Sequence, residues 1–210
     1  MPGWIVSMLD GALRPTKDRL LGPLVRGWIG RIPPTALTLA ALAAAVAAGV
    51  AAWQGAPVAA VVLWLLSRIG DGLDGAVARR RGTASDRGGL LDIIADTIGY
   101  AAIPLGIAAG IDTRAAWIIV AVLLATFYVN AVSWTYLAAL LEKRAVGAAA
   151  TGASTSTVMP RGFIEGTETI VFFTVALAWP DAATVVLAIM AGAVGLTVAE
   201  RLWWARGRLT

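Results

Sequence analysis

The sequence predicts an all-α integral membrane protein, with six transmembrane helices preceded by an N-terminal amphipathic surface helix. Three observations lead there. The chain is 59% hydrophobic with mean hydropathy +0.77, and only 14% of its residues are charged, against roughly 25% in soluble domains. Its apolar residues gather in runs of about 20, the length of a helix that crosses a bilayer. Its basic residues fall almost entirely on one side of the resulting topology. A length of 210 residues suits one folding unit.

Residues 1–31 form the expected cytoplasmic juxtamembrane segment. They lack a continuous apolar core ahead of a small-residue cleavage site, so no signal peptide is read there. Instead Trp4, Ile5, Met8, Leu9, Leu13, Leu20, Leu21, Leu24 and Val25 alternate with Arg14, Lys17, Arg19 and Arg26. That pattern suits one or two helices lying in the membrane surface, broken near Pro15 and Pro23. Residues 32–210 form the expected six-helix transmembrane domain. Its first span, 33–53, is opened by Pro33-Pro34 and closed near Trp53-Gln54-Gly55. The others are expected at 57–79, 88–110, 114–141, 162–179 and 182–204, the fifth ending at Pro180 and the last at the interfacial pair Trp203-Trp204. Small residues such as Ala40, Ala44, Ala48 and Gly49 line the first span and permit close helix approach. The stretch 145–159, rich in Ala, Gly, Ser and Thr, reads as a loop.

Charge orients these spans. Arg14, Lys17, Arg19, Arg26 and Arg31 precede the first. Arg79, Arg80, Arg81 and Arg87 lie between the second and third, Lys143, Arg144 and Arg161 between the fourth and fifth, and Arg201, Arg206 and Arg208 at the end of the sixth. These are 15 of the 17 basic residues; the opposite side holds Arg114, and Arg68 lies inside the second span. The positive-inside rule places both termini in the cytoplasm. The net charge of +4 is not gathered in one patch, so no nucleic-acid partner is expected.

The chain has no Cys and no His. Disulfides, thiolate nucleophiles, Ser-His-Asp triads and typical zinc sites are therefore excluded. Acid–base work near neutral pH falls to carboxylates, Lys, Tyr or a metal-bound group.

Seven acidic residues sit within or at the ends of the spans: Asp71, Asp74, Asp92, Asp96, Glu165, Glu168 and Glu200. Such residues are costly in a bilayer and are functional candidates by default. Asp71, Asp74, Gly75 and Ala78 follow the i, i+3, i+4, i+7 spacing of one helical face, and Asp92 and Asp96 are one turn apart on the next span. A short hairpin lets the two pairs face each other near the cytoplasmic boundary. Four crowded carboxylates would repel and take up protons, whereas two divalent cations neutralise them. All-oxygen ligands select hard ions: Mg²⁺ first, then Mn²⁺ or Ca²⁺. Two such ions about 3.5–4 Å apart can clamp the attacking and leaving oxygens of a phosphoryl displacement. Gly75 and Ala78 leave room for a base or phosphate, and Arg79 can pair with phosphate.

The run Asp71-x₂-Asp74-Gly75-x₂-Ala78-Arg79-x₈-Gly88-x₃-Asp92-x₃-Asp96 resembles the signature of the CDP-alcohol phosphotransferases, and the six-span topology extends the likeness over nearly the whole chain. The resemblance implies a transferase of phospholipid biosynthesis in the bacterial cytoplasmic membrane. Its donor would be a CDP-linked lipid, CDP-diacylglycerol foremost, and its acceptor a small alcohol or polyol. Asp71, Asp74 and Asp92 would be metal ligands. Asp96 would contact metal and act as general base. Gly75, Ala78, Arg79 and Gly88 would line the CDP site, and CMP would leave. Thr38 is carried over as a nucleotide contact, although Thr35 stands where many relatives have Asn. The resemblance also implies a homodimer. The segment 162–169 looks like one found in some bacterial members whose acceptor is not established, and it lacks the fuller Lys/Arg set associated with inositol-phosphate users.

Other readings compete at several positions. Arg68, three residues before Asp71, can pair with it in a purely structural ion network. Arg80 and Arg81 read as anchors to anionic lipid. Arg161 is either an acceptor-phosphate ligand or a solvated loop cation. Glu165 and Glu168 form either an acceptor-site wall or an inter-helix network. Glu200 with Arg201 reads as a boundary pair. For the whole chain the alternative is an ion- or proton-coupled transporter, since intramembrane carboxylates also build ion pathways. Carboxylates gathered at the cytoplasmic ends beside an arginine favour the transferase.

Overall fold

A computed structural model describes residues 25, 27–144, 164 and 166–209. The expected surface helix, the loop 145–159, Arg161 and Glu165 lie outside the described residues. A short 3-10 turn, Trp28–Arg31, leads into six α-helices: α1 (Pro34–Trp53), α2 (Pro57–Arg81), α3 (Asp86–Ile111), α4 (Arg114–Lys143), α5 (Gly166–Ala178) and α6 (Pro180–Arg206). Four of them (α1, α3, α4 and α6) are long and apolar enough to cross a membrane. The protein is an all-helical integral membrane protein. α2 is long but charged in its second half, and the described part of α5 is 13 residues.

Local chemistry sets the helix ends. Prolines open α1, α2 and α6 at their first turn, where the missing N–H costs nothing. Gly82 closes α2 at φ 64°, a left-handed conformation that glycine adopts without a Cβ penalty. Ser85 caps α3 by accepting the Gly88 N–H at 3.2 Å, and Thr113 caps α4 by accepting the Ala116 N–H at 3.2 Å. Connections of one to four residues join α1 to α2, α2 to α3, α3 to α4 and α5 to α6, which makes sequential helices antiparallel.

α1 and α3 therefore run parallel, and they touch backbone to backbone. A Cβ built on Gly49 would lie 2.5 Å from the Ala102 carbonyl oxygen, one on Gly110 would lie 2.6 Å from that of Ala52, and one on Gly106 would strike the Gly49 carbonyl. Small residues are what allow two helices to pack this closely where lipid supplies no hydrophobic drive. This seam locks α3 against α1, while α2 packs on another part of α1 and on α5.

The core below the polar end joins Trp64 of α2, Ile103 of α3, Leu123 of α4, Phe173 of α5 and Leu187, Met190 and Val194 of α6. Trp64, Tyr100 and Phe173 meet at centroid distances of 5.6 to 6.2 Å with tilted or edge-on rings, a favoured geometry for aromatic groups. Outward-facing Leu39, Val58, Leu66, Ile118, Val129, Val185 and Leu196 are exposed, as lipid-facing residues are. Trp53, Trp117 and Trp179 lie toward one end of the bundle and Trp28 and Trp203 toward the other, all exposed, which forms an aromatic belt at each interface. At the latter end Arg81 donates to the Gly30 carbonyl at 2.9 Å, and Arg144 donates to the carbonyls of Arg208 and Leu209.

Candidate active site

The hairpin α2–α3 brings the two carboxylate pairs together. Helical spacing puts Asp71 and Asp74 on one face of α2, and Asp92 and Asp96 on the facing side of α3. Asp74 is buried, at 5% exposure. Asp71 and Asp96 stay about one-third open, at 31% and 30% of side-chain surface. One oxygen of Asp92, Oδ1, is buried without a hydrogen-bond partner.

Thr38 joins the site from α1. Its hydroxyl donates to Asp74 Oδ2 at 2.5 Å and also lies 3.1 Å from the Pro34 carbonyl. The short contact to a carboxylate is the stronger one. Thr38 was expected at the nucleotide; what the structure gives it is the orientation of Asp74. Burial at 6% holds that geometry.

Arg68 pairs with Asp71 as read from the sequence, at 3.9 Å, but its shorter contact is to Asp96 Oδ1 on the neighbouring helix, at 2.7 Å. Its guanidinium stacks at 4.7 Å over the Trp64 ring and 5.3 Å over the Tyr100 ring, and Nη2 donates to Ser67 Oγ at 3.0 Å. Only 7% of its side chain is exposed. The i+4 spacings Trp64–Arg68 and Asp96–Tyr100 were visible in sequence, but the pairing between helices was not.

The remaining positions sort by place. Arg79 folds back over Gly75, where an added Cβ would meet Nη1 at 3.0 Å, so this glycine keeps a slot open beside the cation. Ala78 is half-buried one turn on, and Arg79 and Gly88 are exposed at the mouth. Glu168 is half-buried at the start of α5. Arg201, expected as half of a boundary pair with Glu200, is buried at 7% exposure and donates to Asn130 Oδ1 at 2.7 Å and Ser133 Oγ at 2.8 Å. A charge inside α6 facing α4 was not foreseen.

The donor set fits hard divalent cations. It is all oxygen, it offers four carboxylates on the two helices of one hairpin, and it includes a buried Asp92 oxygen with no hydrogen-bond partner among the described residues. Among the described residues no three acidic groups form a ready-made metal cage; Arg68 draws Asp96 to itself instead.

The family model described as CDP-alcohol phosphatidyltransferase matches residues 31–199. This chain belongs to that family. As a CDP-alcohol phosphatidyltransferase it is an enzyme that transfers a phosphatidyl-type group from a CDP-alcohol. It is 35% identical over 201 residues to the inner membrane protein YnjF of Escherichia coli strain K12, with 93% of this chain and 94% of that protein covered. Its fold is similar to the Mycobacterium tuberculosis phosphatidylinositol phosphate synthase PgsA1. The crystal structure with manganese and citrate aligns at TM-score 0.66 and 23% identity, over 89% of this chain and 87% of that one. The structure with CDP-DAG bound aligns at TM-score 0.66 and 24% identity, over 89% and 91%.

Proposed function

We propose that this enzyme transfers a phosphatidyl group from CDP-diacylglycerol to a small alcohol or polyol, releasing CMP in a step of phospholipid biosynthesis. The reading is supported by the family match together with the carboxylates of α2 and α3, of which Asp71 and Asp96 both meet Arg68. Asp71, Asp74, Asp92 and Asp96 would hold two divalent cations, Mg²⁺ or Mn²⁺. PgsA1, similar in fold, has been crystallised with manganese and with CDP-DAG, and both fit the chemistry of this donor set. The bound cations supply charge neutralisation for the diphosphate and for the leaving CMP.

The chain's own groups do the rest. Thr38 fixes Asp74. Gly75 and Ala78 give the cytidine and its phosphates room against α2, while Arg79 pairs with phosphate and Gly88 lines the opposite wall. Asp96 takes the proton from the acceptor hydroxyl as its oxygen attacks the β-phosphoryl group. The bond from that phosphorus to the bridging oxygen breaks, and CMP leaves with the electron pair. A carboxylate is a weak base for an alcohol, but proton transfer in the transition state requires only a positioned acceptor. Arg161, Glu165 and Glu168 are assigned to the acceptor side. The catalytic unit is residues 32–210, its active end and both termini face the cytoplasm, and two copies associate.

The test is release of CMP by purified protein given CDP-diacylglycerol, Mg²⁺ or Mn²⁺, and a panel of alcohols including glycerol 3-phosphate, serine and inositol phosphate. One acceptor should stimulate CMP release, and a chelator should abolish it. Absence of release with every CDP-alcohol would reject the reading. Steady ion flux through proteoliposomes in its place would favour the transporter.

A further inference from the structure

Arg68 has three properties that a structural ion pair does not need together. Its side chain is 7% exposed. It is bracketed by the faces of Trp64 and Tyr100. It binds one oxygen of Asp96, while no hydrogen bond among the described residues engages the other. Both rings belong to the aromatic cluster with Phe173 that forms the floor of the site. The cation is thus built into the protein rather than drawn from solvent, and it lies one helical turn deeper than Asp71.

We propose that Arg68 is a resident cation of the carboxylate site, competing with the first divalent ion for Asp96 and leaving the fully loaded site net positive toward the CDP-linked donor. The inference rests on the reading that the four aspartates hold two dications. Four carboxylates and two dications balance to zero; the guanidinium adds one positive charge. An electroneutral site attracts a diphosphate weakly, whereas a positive one binds it through a field that low dielectric strengthens. The same charge opposes metal entry when no nucleotide is present. Arg68 therefore trades affinity for the bare metal against affinity for the metal-bound substrate. Holding Asp96 Oδ1 also keeps that carboxylate's second oxygen turned to the reacting hydroxyl, which makes Arg68 a positioning residue for the base.

The two effects have opposite signs, and this separates the proposal from a packing role. Mn²⁺ binding to the full-length protein in detergent is followed by electron paramagnetic resonance, and CMP binding at saturating Mn²⁺ by calorimetry. Arg68→Gln should bind Mn²⁺ about tenfold tighter and CMP about tenfold weaker than wild type. Arg68→Met keeps an unbranched apolar stem between the two rings and should behave the same way if the glutamine variant fails to fold. Unchanged or weaker Mn²⁺ affinity in whichever variant folds overturns the proposal. If wild type itself binds no Mn²⁺, the metal reading falls, and this one with it; if only the variants fail to tighten, the metal reading stands alone.

Discussion

Asp96 asks its two oxygens for different things. One is tied to Arg68 at 2.7 Å; in the proposed mechanism the other meets metal and takes the proton. Asp96→Asn keeps shape and a metal-capable carbonyl oxygen but cannot accept the proton. It is expected to retain Mn²⁺ binding within about tenfold and to lose turnover by about 10²–10⁴-fold; single-turnover CMP release alongside Mn²⁺ titration checks both. Asp92→Asn should act mainly on metal affinity, since Asp92 brings the orphaned oxygen Oδ1 to the cluster. Thr38 gives a finer test. Thr38→Val removes the donor to Asp74 while keeping volume, and is expected to cost about tenfold in kcat/KM, whereas Thr38→Ser should restore most of it. At this scale the sequence showed the carboxylates, because their spacing is a property of one helix. It did not show Arg68 on Asp96 or Thr38 on Asp74, because those contacts join different helices.

The seam between α1 and α3 decides where the carboxylates of α3 stand. Gly49, Gly106 and Gly110 face carbonyl oxygens too closely for a side chain. Gly106→Val should push α3 away from α1 and cost about 1–3 kcal/mol, read as a lower Tm and lower CMP release together. Gly192→Ala is the control: an added methyl meets nothing within 4 Å, and it should leave Tm unchanged or slightly raised. Pro104 sits inside α3, where its ring leaves the Tyr100 carbonyl without its helical donor. Helix positions were legible in sequence, since apolar runs and terminal prolines and glycines mark them. The structure lengthens α2 to Arg81 and starts α3 at Asp86, because Gly82 and the Ser85 cap, rather than the hydrophobic run, set those ends.

At the scale of the whole molecule, the proposed orientation rests on where the basic residues lie. The chain has no Cys, so single cysteines report sidedness without background. Thr83→Cys, in the α2–α3 connection, should react with a membrane-impermeant maleimide only in inverted vesicles. Gln54→Cys, in the α1–α2 connection, should react only in right-side-out cells. The reverse pattern would place the active site outside and refute the orientation. Lipid-facing Val129 is exposed; Val129→Arg should reduce membrane insertion at a cost of about 2.5–3.5 kcal/mol, seen as lower yield in the membrane fraction.

By itself the sequence determined the membrane solvent, the helical runs among the described residues and the family motif. Composition, run length and i, i+3, i+4 spacing are one-dimensional properties, and a bilayer permits few structures that satisfy them. Only the tertiary structure decided which cation meets which anion. A 7%-exposed guanidinium reaches Asp96 at 2.7 Å as well as the nearer-in-sequence Asp71 at 3.9 Å, because the side chains of α2 and α3 meet at that level. That approach depends on Gly49, Gly106 and Gly110 at the α1–α3 seam and on the Trp64 and Tyr100 rings, positions outside the carboxylate pattern.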